Sequence, residues 1–73
     1  MNMRDADHLT LEWLVHLGGW QTAEAMAVPM EQPERFVSRA LLRLFWRGVL
    51  EIGPTRGPHT TWRLRPELNT EER

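Results

Sequence analysis

The chain has 73 residues, no cysteine and no lysine, and its nine arginines stand against ten acidic side chains for a net charge of −1. A chain of this length makes one domain that buries only roughly 60% of its unfolded surface, and without thiols neither disulfides nor a thiolate metal site can supplement its core. The opening MNMRDADHLT carries acids and no apolar run, so neither a secretory signal nor a membrane anchor is expected, and a soluble cytoplasmic protein is.

Residues 1–8 lack periodicity and read as a flexible leader, which sets the expected domain at residues 9–66. Leu9, Trp13, Leu14 and Leu17 recur at helical spacing and Gly18-Gly19 stops them, predicting a first helix of about ten residues. Glu12 and His16 lie one turn apart, but no third ligand accompanies them, so they read as an exposed helix pair and not as a metal site. Trp20 and Gln21 suggest a very short strand tied to a later hairpin, with Trp20 as a lid on the core. Thr22 offers an N-cap to a short helix of small residues that Pro29 should end. A turn to Gln32 follows, and Pro33 takes the first position of the next helix.

The stretch from Pro33 to Ile52 organises the chain. At about 100° per residue, Val37, Ala40, Leu41, Leu44 and Phe45 share one face, and Arg35, Arg39 and Arg43 share the other. Arg47 and Gly48 close this helix, a cation and a glycine suited to its carbonyl end. Val49, Leu50 and Ile52 then favour a strand, and Gly53-Pro54 and Gly57-Pro58 punctuate a loop that carries Arg56. A second strand from His59 or Thr60 to Arg65 alternates, with Trp62 and Leu64 toward the core and Arg63 on the other face. Pro66 ends it, and residues 67–73 read as a polar tail.

Charge is polarised along this order. Residues 1–31 carry a net −4, residues 32–66 a net +5 and residues 67–73 a net −2. A basic half of this kind fits an anionic partner, although a solvated arginine surface is the plain alternative. Arginine is also the better bidentate contact for phosphate and guanine.

The order helix, short strand, helix, helix, strand, glycine-proline loop, strand resembles the winged helix-turn-helix family over about residues 9–65. This is an α+β fold of three helices with a small antiparallel β-hairpin wing. The run Val37-Ser38-Arg39 with Leu41, Leu44, Gly48, Val49 and Leu50 is similar to a recognition helix entering the first wing strand. Gly18-Gly19 with Thr22-Ala23-Glu24, and Thr61-Trp62-Arg63-Leu64, look most like the small FaeA-like regulators of fimbrial operons. The resemblance implies that the helix at 33–47 enters the major groove of double-stranded DNA and that the loop at 53–58 touches backbone or minor groove. On that reading Arg35, Ser38, Arg39 and Arg43 make groove contacts and Arg56 sits at the wing tip. Arg39 suits a guanine edge, Arg43 and Arg63 suit phosphates, and Gln32 and Ser38 can donate to phosphate or base, unless Ser38 is merely solvated and Gln32 merely caps the helix.

Leu42 and Trp46 depart from the pattern, since they lie beside Arg35 and Arg39, away from the core. Either the first helix or the wing covers them, or they form a contact with a second subunit or another protein. Two functions therefore stay open. One is a small DNA-binding transcriptional regulator, working as a dimer or with a larger protein partner. The other is a winged-helix protein-interaction module, a subunit, adaptor or phage- or plasmid-borne inhibitor, that uses Leu42, Trp46 and the arginine face. No catalytic residue, metal, cofactor or small-molecule substrate is expected, because no nucleophile has an adjacent His and acid and no phosphate loop or metal spacing appears.

Overall fold

The structure is a computed structural model and describes residues 2–53 and 59–68. Helix α1 spans Met3–Leu17, α2 Ala23–Met30 and α3 Glu34–Trp46; strands β1 at Leu50–Ile52 and β2 at Trp62–Leu64 follow, and a short 3-10 helix covers Pro66–Leu68.

Helix α1 corrects the expected leader. It begins six residues before Leu9, because Asn2 caps it, its side-chain oxygen accepting from the Asp5 N–H at 2.9 Å. The inward line of its first half is Ala6, Asp7 and Thr10, all buried. A search for apolar periodicity passes over such residues. Thr10 Oγ1 donates to the Ala6 carbonyl at 2.8 Å, which satisfies its hydroxyl inside the helix. Asp7 is satisfied by arginines of α3, as described below. At the other end Gly18 and Gly19 both take positive φ, 72° and 64°, and the Gly18 N–H returns to the Leu14 carbonyl.

Thr22 caps α2 as expected, accepting from the Ala25 N–H at 3.1 Å. Pro29 does not end this helix. It falls in the last turn, where its fixed φ suits a helix and its cost is confined to the Ala25 carbonyl that it cannot bond and crowds, and one more residue buries Met30 before Glu31 turns left-handed at φ 57°. Pro33 stands one position outside the place expected of it. It is the N-cap of α3, in extended backbone, and its carbonyl accepts from the Phe36 and Val37 N–H groups.

Helix α3 ends as its sequence requires. Gly48 takes φ 81° and donates to the Phe45 carbonyl, while Val49 donates to Leu44, so two carbonyls of the last turn are satisfied as the chain swings into β1. The strands pair antiparallel, with Leu50 opposite Leu64, Glu51 opposite Arg63 and Ile52 opposite Trp62. Gln21 adds a one-residue bridge on the far side, exchanging both backbone hydrogen bonds with Trp62 at 2.8 Å. That bridge fastens the segment between α1 and α2 to the hairpin.

Both α1 and α2 pack on the inner face of α3. Leu14, Met26, Val37, Leu41, Leu44, Leu50 and Trp62 form the centre of the core, with one or more residues drawn from every named helix and strand. At about 1.5–3 kcal/mol per fully buried large apolar side chain, that cluster is the main source of cohesion in so small a domain. Three helices with a two-stranded hairpin in this order are a winged helix-turn-helix, in which α2 and α3 form the helix-turn-helix and the hairpin forms the base of the wing.

Trp20 is not a lid on this core. It is 40% exposed and lies over Gly53, with the Arg63 guanidinium 4.5 Å from its ring centroid. A Cβ on Gly53 would collide with the six-membered ring of Trp20, so glycine at this position is explained by the close approach of the indole.

Candidate nucleic-acid interface

The core side of α3 is set by Val37, Ala40, Leu41 and Leu44, all buried. Helical geometry then places Arg35, Arg39, Leu42 and Trp46 along the opposite ridge, and all four are exposed. Ser38 and Arg43 stand on the two flanks of that ridge.

The arginines divide by what already holds them. Arg43 reaches across to α1, where its Nε–H donates to Asp7 Oδ1 at 2.9 Å and a terminal nitrogen lies 2.8 Å from the same oxygen. Arg47 approaches the other Asp7 oxygen at 3.7 Å. Asp7 is only 6% exposed, so this acid needs its cations, and the pair ties the start of α1 to the end of α3. Arg63 is paired with Glu51 at 2.5 Å across the strands and stacked on Trp20, while Arg65 pairs with Glu67 at 2.9 Å. Arg35 and Arg39 have no ion pair among the described residues. Their charge is available.

These two guanidiniums open onto a cleft of about 320 Å³ between α3 and the first turn of α1. Asn2, Met3 and Ala6 supply one wall, Pro33 and Phe36 line the other side with Arg35 and Arg39, and Arg43 closes an end. The cleft thus sets the guanidiniums of Arg35 and Arg39 beside a mixed polar and apolar lining, a form that accepts an anion lying against the helix. Asn2, Met3 and Ala6 escape a reading that takes residues 1–8 as a leader. The signal for them is the N-cap pattern of Asn2 followed three residues later by Asp5.

The remaining expected contacts separate from this pair. Ser38 is exposed, but it shares its groove with Glu24, Glu34, His59 and Thr60, on the flank facing the hairpin. His59 Nδ1 and Glu24 approach to 3.6 Å across that groove. Gln32 is half-buried in the turn, its N–H bonded to the Ala27 carbonyl, and no side chain caps α3. Arg56 lies outside the described residues.

Neither α1 nor the described part of the wing covers Leu42 or Trp46. Leu42 is 45% and Trp46 75% exposed. The Trp46 ring meets Phe45 edge-on, with centroids 5.7 Å apart, and Phe45 in turn meets Trp62. Its base is therefore anchored while its outer face is open. Among the described residues, no cluster of His, Cys, Asp or Glu could hold a metal ion, and no helix is long and apolar enough to cross a membrane.

No protein-family model matches the sequence, and no curated protein matches it. Solved structures do match the fold. The Zalpha domain of PKZ from Carassius auratus, determined in complex with Z-DNA, superposes with a TM-score of 0.71 at 17% identity, covering 86% of this chain and 97% of that domain. A structure from work on the DNA recognition and protein interaction domains of HOP2 gives the same TM-score and identity, covering 82% of this chain and 98% of that one. These likenesses establish the winged-helix fold of the chain.

Proposed function

We propose that this chain binds double-stranded DNA through α3 and serves as a small, non-catalytic transcriptional regulator. One observation carries the reading: Arg35 and Arg39 stand exposed on the outer ridge of α3 without an ion pair among the described residues, while Arg43, Arg47, Arg63 and Arg65 are engaged by acids of the fold itself. Such a pair at the front of a helix-turn-helix suits base edges and phosphates of a major groove. The two similar folds support it, since one was captured with Z-DNA and the other comes from a protein described by its DNA pairing. Arg43 and Arg63 take a lesser part on this reading, as side chains that shape the surface and meet phosphate only at its margin.

The exposure of Trp46 supports a second reading, a protein-interaction module that docks a partner on the same ridge. Anisotropy of a labelled duplex at low salt separates the two. DNA binding that Arg39→Ala weakens about tenfold, as loss of a good base contact would, supports the first reading. Absence of binding, or binding indifferent to Arg39→Ala, removes it.

A further inference from the structure

Trp46 is the largest apolar side chain left in water, and its ridge limits what can cover it. After Glu34, which lies with Ser38 on the hairpin-facing flank, α3 carries no acidic residue. A two-fold contact between copies through this ridge would gather the guanidiniums of Arg35 and Arg39 from both chains around two indoles, with no acid of the ridge between them. The apolar area is also small. At 45% and 75% exposure Leu42 and Trp46 together leave roughly 270 Å² to be covered, against about 800 Å² per partner in a stable interface. An anion with a flat apolar face answers both constraints.

The length of α3 says where that face must be. Arg35 and Trp46 are three turns apart, roughly 16 Å along the axis, and a recognition helix meets the base edges with its N-terminal residues. With Arg35 and Arg39 in the groove, Trp46 stands at the far end of the contact, toward the sugar-phosphate backbone. A regular duplex offers an indole no open base face there, because its base faces are covered by stacking. A base out of the stack supplies one and brings its flanking phosphates beside the cationic ridge.

Resting on the DNA-binding reading above, we propose that Trp46 stacks on an unstacked nucleobase, so that the preferred ligand is duplex DNA adjoining unpaired bases and not a uniform B-form duplex. Leu42 fills the space between this contact and Arg39. The indole meets Phe45 edge-on at one side and leaves its outer face open to a base.

The test is anisotropy with a labelled blunt duplex and the same duplex carrying a fork of unpaired bases at one end. Wild type is expected to prefer the fork roughly tenfold, within the range of one base stacked on an aromatic side chain. Trp46→Ala should abolish that preference while leaving the blunt duplex within about twofold, and Trp46→Phe should restore most of it. Circular dichroism of each variant establishes folding, which the exposure of Trp46 favours. Equal affinity of wild type for both ligands, or equal loss on both in Trp46→Ala, overturns the stacking proposal and leaves DNA binding standing. Failure of wild type to bind either ligand overturns the DNA reading as well. A dimeric mass in wild type that becomes monomeric in Trp46→Ala assigns the ridge to a protein contact and also overturns the proposal.

Discussion

Arg43→Ala should destabilise the fold far more than a surface arginine would. Its guanidinium makes contacts of 2.8 and 2.9 Å to Asp7, and without it the buried carboxylate keeps only Arg47, which stands 3.7 Å away with its side chain 65% exposed. Breaking a fully enclosed pair costs about 3–5 kcal/mol. The Arg43 side chain is 31% exposed, so solvent screening reduces the figure to about 2 kcal/mol. In a domain of this size that lowers the melting temperature by roughly 10 °C. Thermal melts followed by circular dichroism on Arg43→Ala, Asp7→Ala and the double variant measure it, and the cycle should return a coupling of roughly 1–2 kcal/mol. If Arg43→Ala melts within about 2 °C of wild type, the side chain is a free cation, and the division of the arginines described above is wrong.

Other expected outcomes concern the joints of the fold. Gly53→Ala drives a methyl group into the Trp20 ring and should cost about 1–3 kcal/mol in urea denaturation. Adding Trp20→Ala should recover part of that loss, whereas an unperturbed Gly53→Ala would mean that the indole does not lie where the hairpin base needs it. Thr22→Ala removes the cap on the Ala25 N–H and should cost about 1 kcal/mol, with Thr22→Ser close to wild type. Equal stability of the two variants would show that the helix start is held by something else.

Much of this architecture was legible in the sequence because local chemistry and tertiary need agree. The apolar stripe of α3, the glycines at 18, 19 and 48, the Thr22 cap and the inward Trp62 each point to one local structure, and the fold uses all of them, whereas Leu64 is half-buried and outside the core cluster. The misses lie where a residue's role depends on a distant partner. The first turns of α1 face inward with Ala6, Asp7 and Thr10, and only the guanidinium of Arg43, far along the chain, makes a buried aspartate there intelligible. Trp20 reads as core by composition, yet its place is fixed by the absence of a side chain at Gly53 and the presence of Arg63. For the same reason periodicity groups Arg35, Arg39 and Arg43 as one row, and only the position of Asp7 separates the last of them from the first two. Helix geometry sets Trp46 away from the core, but whether α1 or the wing covers it is not legible in the sequence, and the fold leaves it 75% exposed.

Salt dependence of duplex binding tests the central claim most directly. Each arginine that neutralises a phosphate adds about 0.9 to the slope of log K against log salt concentration, so with Arg35 on phosphate and Arg39 on a base edge the Arg35→Ala/Arg39→Ala double variant should lose roughly 0.9 of it along with about tenfold in affinity. Arg43→Ala, measured at a temperature where it remains folded, should keep the slope within about 0.5 of wild type. A slope unchanged in the double variant, or lost equally in Arg43→Ala, would contradict the account that Arg35 and Arg39 are the cations this fold holds ready for DNA.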